Sequence, residues 1–139
     1  MPSSLSIAVV VVNWNAGGYL KKCLQSLKNQ TLMPTRVIVV DNASKDDSIN
    51  GFGKEFESFE IIKLEENTGF AFANNLAVKQ VTNCDWIAFL NPDAFAAPDW
   101  LERLSNATGD FPECVSFGSH MFRYGSDRMD GTGDVYHVC

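Results

Sequence analysis

The sequence predicts an α/β fold built on a mainly parallel sheet. Three observations carry this. Apolar runs of strand length alternate along the chain with segments of helical period, the order expected of βαβ units. The first run, Leu5 to Val12, is rich in Val and Ile and too continuous for an antiparallel strand with one wet face. Polar clusters fall directly after the strand runs rather than inside them.

Leu5 to Val12 forms the first strand. Tyr19, Leu20, Cys23, Leu24 and Leu27 then recur at helical spacing and make one apolar stripe. Arg36 to Val40 is the second strand. Ser44, with Asp47 three residues later, has capping-box form and predicts a short helix with Ile49, Phe52 and Phe56 on its apolar face. Glu60 to Leu64 is the third strand. Asn67-Thr68-Gly69 precedes a helix that turns Phe72, Ala73, Leu76, Ala77 and Val81 inward. Trp86 to Leu90 is the fourth strand. Pro98 at a first helical position, with Asp99 beside it, opens a helix that carries Trp100, Leu101 and Leu104 inward and ends at Gly109. Cys114 to Met121 is expected as a fifth strand, and beyond Phe122 the pattern dissolves among Gly125, Gly131 and Gly133.

The chain has 139 residues, 45% of them hydrophobic, which suits one domain spanning 1–139. Such a domain buries roughly 68% of its unfolded surface and needs neither disulfides nor a structural metal. With 17 acidic against 11 basic residues the net charge is −6. That balance, with the Lys and Arg scattered, excludes a nucleic-acid binder, which needs clustered cations to displace counterions. No apolar run approaches the ~20 residues of a membrane helix. Met1-Pro2-Ser3-Ser4 has no signal-peptide character, so a cytoplasmic protein is expected. Cys23, Cys84, Cys114 and Cys139 form no C-x-x-C pair and read as small hydrophobes in a reducing compartment. Gly133 to Cys139 reads as a chain stopped within an element, which marks a fragment truncated at its C-terminus.

In open parallel sheets the ligand crevice lies outside the carboxyl ends of the strands. Asn13-Trp14-Asn15, Asp41-Asn42, Asn67-Thr68-Gly69 and Asn91-Pro92-Asp93 all fall there and are candidates for one site. Asp41 is an acceptor suited to ribose hydroxyls or a base N–H, or else it closes an Asx turn. Asp93 lies between Phe89-Leu90 and Ala94-Phe95 and needs a partner. Mg2+ or Mn2+ fits, since such ions bind through one or two carboxylates, water and phosphates; a turn residue capping the helix near Pro98 is the other reading. Asn67-Thr68-Gly69-Phe70, with Asn74 and Asn75 on the next turn, presents amides to an anion or serves only the turn. Asp85, at the opposite end of the fourth strand, belongs on the surface. His120 and His137 are isolated packing or surface residues. The dinucleotide fingerprint and the P-loop are both absent, and Asn13 and Asn15 stand where a receiver domain has its acidic pair.

Taken in order, Val9-Val10-Val11-Val12-Asn13-Trp14-Asn15, Val40-Asp41-Asn42-Ala43-Ser44, Asn67-Thr68-Gly69-Phe70 and Leu90-Asn91-Pro92-Asp93 give the chain its likeness to a known family. It resembles the N-terminal half of the family 2 glycosyltransferases, inverting enzymes of GT-A fold, in the rhamnosyltransferase-like branch. The resemblance implies an α/β/α sandwich binding a UDP- or dTDP-sugar donor, with base and ribose near Asn13, Asn15 and Asp41. It makes Asn67, Gly69, Asn91 and Asp93 the rest of the nucleotide-sugar site. The family's D-x-D motif reads Asn91-Pro92-Asp93 here, which leaves Asp93 as the one carboxylate for Mg2+ or Mn2+.

By the same resemblance the acceptor is a hydroxyl of a saccharide or lipid-linked saccharide in surface polysaccharide assembly. The general base is expected beyond Cys139, and Asp130 and Asp134 are loop or acceptor-side residues. The chain by itself would then bind donor without transferring sugar, and the longer protein would lie at the inner membrane face. A non-catalytic module binding nucleoside diphosphates is the competing function. A sugar nucleotidyltransferase would need a Gly-rich basic loop after the first strand, which is missing.

Overall fold

The computed structural model describes residues 5–50 and 52–131. Contacts divide the chain into two compact units, residues 1–103 and 104–139. The first unit holds β1 (Ile7–Asn13), α1 (Gly18–Lys28), β2 (Arg36–Asp41), β3 (Glu60–Lys63), α2 (Phe70–Gln80), β4 (Trp86–Phe89) and the start of α3 (Trp100–Asp110). Its sheet runs β3-β2-β1-β4, every pair parallel. Parallel pairing puts the carboxyl ends of all four strands on one edge, and with them the polar residues that follow.

β1 is central, and all seven of its residues are buried. Its alternation sends Val10 and Val12, with Ile38 and Val40 of β2, to the face covered by Ala73 and Ala77 of α2. Small residues there let the helix lie close to the sheet. Val9, Val11 and Val39 point to the opposite face. In α1, Leu20, Cys23, Leu24 and Leu27 are buried, and each Leu contributes roughly 2 kcal/mol by leaving water. Tyr19 falls outside that stripe, 55% exposed, because its ring turns toward Phe95 with centroids 6.4 Å apart.

The amino-terminal edge is fastened by charge. Arg36 grips both carboxylate oxygens of Glu60 at 2.7 Å and donates to the Gln80 carbonyl at 2.6 Å, tying β2, β3 and α2 together. Asp85 accepts from the backbone and hydroxyl of Ser6 at 2.9 and 2.7 Å, away from the polar strand ends as expected.

Other expectations fail for identifiable reasons. No helix starts at Ser44, whose hydroxyl is taken by the β1 loop; the segment runs through turns to a short 3-10 helix, Lys54–Phe56. Phe56 is buried there, flanked by Phe52 and Phe59 with centroids 5.3 and 5.6 Å away. In α2, Phe72 is 57% exposed, and the inner face is made by Ala73, Asn74 and Ala77. α3 starts at Trp100 rather than Pro98 and runs one residue past Gly109.

The second unit, described to residue 131, contains the end of α3 and an antiparallel pair, β5 (Met121–Phe122) with β6 (Met129–Gly131). The fifth strand expected over Cys114 to Met121 does not form. Residues 114–120 are not in a strand among the described residues and are mostly exposed, Val115 to 89%. Asp130 lies in β6, not a loop, 3.7 Å from Arg123. Asp134, His137 and Cys139 lie outside the described residues.

Candidate functional site

The carboxyl edge is organised around Asn13, the last residue of β1, directly opposite Asp41, the last of β2. The Asn13 Nδ2 donates to Asp41 Oδ1 at 2.8 Å and lies 3.0 Å from Ser44 Oγ and 2.8 Å from Ser48 Oγ. A carboxylate can only accept, so Asp41 fixes which way the amide points. Oδ1 of Asn13 is left buried with no hydrogen-bond partner among the described residues.

The loops after β1 and β2 lock into each other. Ser44 Oγ accepts the Asn15 amide at 2.9 Å, and Asn15 Oδ1 accepts the Lys45 amide at 2.7 Å. Asp46 accepts the Gly17 amide at 2.8 Å and also holds Ser48. Those bonds, the Ser48 hydroxyl first, hold the Asp46 carboxyl below its usual range. Asn15 and Ala43 have φ of 52° and 61°, a left-handed conformation that costs each about 1–2 kcal/mol. Gly17, at φ 55° and ψ −138°, occupies a region that only glycine enters readily. The tight interlock requires these conformations.

Asn42 joins β2 to the loop before α2. Its Nδ2 donates to Asn67 Oδ1 at 2.9 Å, and its Oδ1 accepts the Thr68 amide at 2.9 Å and hydroxyl at 3.1 Å. Asn67 Oδ1 also accepts the Gly69 amide at 2.9 Å. Gly69, at φ 84° and ψ 161°, turns the chain sharply into α2. Asn74 does not face an anion; its Nδ2 bonds the Phe70 carbonyl at 3.0 Å.

After β4, Asn91-Pro92-Asp93-Ala94 is a turn closed by the Ala94 amide on the Asn91 carbonyl at 3.0 Å. Pro92 at its second position pre-sets φ. Asp93 is thereby presented outward from the strand end. Cys23 of α1 lies behind the turn, Sγ 3.5 Å from the Asn91 carbonyl. Burial, and next the nearby Asp93 charge, push the thiol up to about 12, so it stays a protonated donor.

Two adjoining cavities open along this edge. The smaller, about 340 Å³, is lined by Val12, Trp14, Asn42, Asn67, Phe70, Asn91 and Pro92. The larger, about 670 Å³, is lined by the Trp14–Tyr19 loop, Lys22, Pro92 and Asp93. Trp14 and Pro92 contribute to both. Asn13 and Asp41 line neither and are 0% and 4% exposed, so they form the foundation rather than the wall.

No group of three or more His, Cys, Asp or Glu side chains suited to a metal occurs among the described residues. One outward carboxylate, Asp93, fits a hard divalent ion that takes its other ligands from phosphate and water.

A parallel sheet with its polar residues gathered at the carboxyl edge, in this order, is matched by a known family. Residues 8–133 fit the model of glycosyl transferase family 2. The chain belongs to that family. The O-antigen chain rhamnosyltransferase RfbN of Salmonella typhimurium is 29% identical over 94 residues, which cover 67% of this chain and 30% of that protein. S. aureus TarS in complex with UDP-GlcNAc is 26% identical, with a TM-score of 0.65 over 78% of this chain and 32% of that one. The mannosyltransferase PcManGT of Pyrobaculum calidifontis, in complex with GDP-Man and Mn2+, has a TM-score of 0.67 at 22% identity, over 88% and 37%. The fold is the GT-A fold expected from the sequence. The chain spans about a third of the length of each of these relatives.

Of the residues singled out in the sequence, Asn13, Asn15, Asp41, Asn67, Gly69, Asn91 and Asp93 all lie on the carboxyl edge of the sheet or in the loops that leave it. Sequence reasoning does not place Ser44, Asp46, Ser48 or Cys23 in the network at this edge. The Ser44–Asp47 spacing carried a helix-cap signal that tertiary pairing overrode, and Cys23 carried no signal beyond its place in an apolar stripe.

Proposed function

We propose that this chain is the donor-binding part of a glycosyltransferase that moves a sugar from a UDP- or dTDP-sugar to a hydroxyl acceptor, with inversion, in surface polysaccharide assembly. The observation that carries this reading is the two-part cleft on the strand ends, one part walled by Asn42, Asn67 and Asn91 and the other by Asp93. The smaller part takes the nucleoside, with amide groups for the ribose and base and the Trp14 face beside them. The larger takes the diphosphate and sugar beside Lys22 and the start of α1, whose helix dipole favours an anion. The TarS complex with UDP-GlcNAc and the name of RfbN support a nucleotide-sugar donor and a polysaccharide product.

Asp93 would hold Mg2+ or Mn2+, with Asn91 beside it as a neutral donor to ribose or phosphate. When bound, the ion offsets charge on the departing diphosphate as a Lewis acid. The residues of the chain orient the donor so that the acceptor hydroxyl reaches the anomeric carbon opposite the leaving group. A carboxylate base elsewhere in the longer protein takes its proton. Titration calorimetry with UDP, dTDP and GDP, each with and without Mn2+, tests the reading. Binding of UDP or dTDP that Mn2+ tightens is expected, and no binding of any of the three overturns it.

A further inference from the structure

We infer that Gln30, with Ser26 and Cys23, is a positioning residue for Asp93, so that helix α1 sets the geometry of the turn that carries it. This rests on the donor-site reading above for the role of Asp93, and on an independent pattern of bonds for the anchoring itself.

From Leu90 to Asp99 the chain has no helix or strand, and Ala94-Phe95-Ala96-Ala97-Pro98 has no side chain that can hydrogen-bond. Its backbone groups must find partners elsewhere. Helix α1 and the two residues just past its Asn29 cap supply them in succession. Cys23 Sγ lies 3.5 Å from the Asn91 carbonyl, and Ser26 Oγ accepts the Ala96 amide at 3.0 Å. Ser26 Oγ also donates to the Cys23 carbonyl at 2.6 Å, so the two anchors are themselves coupled. Gln30 Nε2 donates to the Ala97 carbonyl at 2.7 Å and to the Ser26 carbonyl at 3.0 Å, while its Oε1 accepts the Leu101 amide at 3.0 Å. The Thr31 amide then donates to the Pro98 carbonyl at 2.8 Å.

Gln30 is 5% exposed, and its amide is used in both directions. No apolar side chain of that size can replace it, because the Leu101 amide and the Ser26 carbonyl would each lose the Gln30 bond and the Ala97 carbonyl would keep only the Trp100 amide, 3.0 Å away. The other end of the same helix, Gly18, Tyr19 and Lys22, lines the cleft that Asp93 faces. Helix α1 therefore runs from the cleft wall through Cys23 and Ser26 to its cap, and Gln30 directly after the cap completes the anchor of the turn.

The test compares wild type with Gln30→Leu, Ser26→Ala, Asp93→Asn and the exposed same-helix control Gln25→Ala. Amide hydrogen exchange is read over residues 94–101, and the UDP affinity is read with and without Mn2+. Gln30→Leu is expected to speed exchange at Ala96 and Leu101 by about tenfold, the worth of one or two net hydrogen bonds, with β1 and β2 amides unchanged. It should also reduce the Mn2+-dependent tightening by about the same factor as Asp93→Asn, with Mn2+-free affinity within about twofold. If Gln30→Leu does not fold, Ser26→Ala carries the same comparison, removing the one side-chain bond from Ser26 to the Ala96 amide together with its bond to the Cys23 carbonyl. Unchanged exchange at 94–101, or an equal loss of affinity with and without Mn2+, overturns the inference. If wild type binds no UDP but Gln30→Leu still speeds exchange there, the donor-site reading has failed and the anchoring stands.

Discussion

Asn13 and Asp41 end adjacent parallel strands in register, and the amide nitrogen of one lies 2.8 Å from a carboxylate oxygen of the other in a site closed to solvent. A buried carboxylate is stable only when its oxygens are bonded. Asn13 satisfies Asp41 and draws Ser44 and Ser48 toward the same nitrogen, so the pair shapes the loops on both strands. Asn13→Ala should therefore cost about 2–4 kcal/mol in urea unfolding, since it leaves the carboxylate without its donor. Asn13→Asp should be worse at neutral pH than at pH 4, because two carboxylates at that distance cannot both ionise cheaply. A loss under about 0.5 kcal/mol for the alanine variant, the size of an ordinary surface change, would show the pair to be incidental.

Asp41 lies under the cleft rather than in its wall, so its effect on ligand comes with an effect on the loops. Asp41→Ala is expected to weaken UDP or dTDP by about 1–3 kcal/mol. Asn42→Ala, which removes a wall amide and frees the Asn67–Gly69 loop, should cost a similar amount while leaving β1 and β2 intact. Calorimetry on both variants checks this. Wild-type affinity in both would move the nucleoside away from the smaller cavity.

The Cys23 thiol gives a pH signature at the alkaline end. Its folded value is raised to about 12 from 9.0 by burial first and by Asp93 second. Between those values the unfolded chain loses this proton and the folded chain keeps it, so stability falls as pH rises from 9 toward 12. Wild type should lose up to about 1.4 kcal/mol per pH unit more than Cys23→Ala over that range. Cys114, exposed on the second unit, should react with a thiol reagent at pH 8 while Cys23 reacts only on unfolding. Parallel alkaline stability curves for wild type and Cys23→Ala would remove the shift.

At the acid end the Arg36 guanidinium holds the Glu60 carboxyl below its ordinary range, mainly through the paired hydrogen bonds. A depressed carboxylate stabilises the fold above its unfolded value and loses that contribution as pH falls through the folded one. Glu60 is about half exposed, so the effect is small and weakened by salt. Glu60→Gln should flatten the decline of melting temperature below pH 5, and 1 M NaCl should do the same to wild type. An unchanged acid decline in both would make the pair ornamental.

How much of this was legible in the sequence depended on whether a residue's role was local. The four parallel strands and the helical stripe of Leu20, Cys23, Leu24 and Leu27 follow from periodicity, and they appear within a residue or two of where periodicity puts them. The polar clusters were legible because parallel topology carries every strand's end to one edge. Ser44 was misread because a serine hydroxyl serves a helix cap and a neighbouring loop equally well, and only the register of Asn13 against Asp41 decides between them. The segment 114–120 was misread because a run of mixed apolar residues predicts a strand only if an adjacent strand is present to pair with it. Gln30 was invisible. Its worth lies in backbone groups 67 and 71 residues away, and nothing local distinguishes it from a solvated glutamine.

Asp93 provides the sharpest test of the proposed chemistry. It is the one carboxylate of the turn after β4, it borders the larger cavity, and Asn91 beside it carries no charge. A divalent ion that bridged a diphosphate to the protein would lose its only anionic protein ligand in that turn in Asp93→Asn, while the turn keeps its shape because Pro92 and the Ala94–Asn91 bond remain. In wild type Mn2+ should tighten UDP by about tenfold or more, and in Asp93→Asn by less than about threefold, a difference of about 0.7 kcal/mol or above. Affinity without metal should stay equal or rise slightly in the variant, because a carboxylate facing a diphosphate repels it when no cation lies between them. That sign separates a metal-bridging carboxylate from a mere turn residue, whose loss would weaken UDP binding to the same degree with and without Mn2+. Calorimetry at fixed ionic strength, with Mg2+ and Ca2+ as comparison ions, measures it. Equal Mn2+ enhancement in wild type and Asp93→Asn would leave Asp93 as a turn residue and assign the ion's protein ligand to another residue.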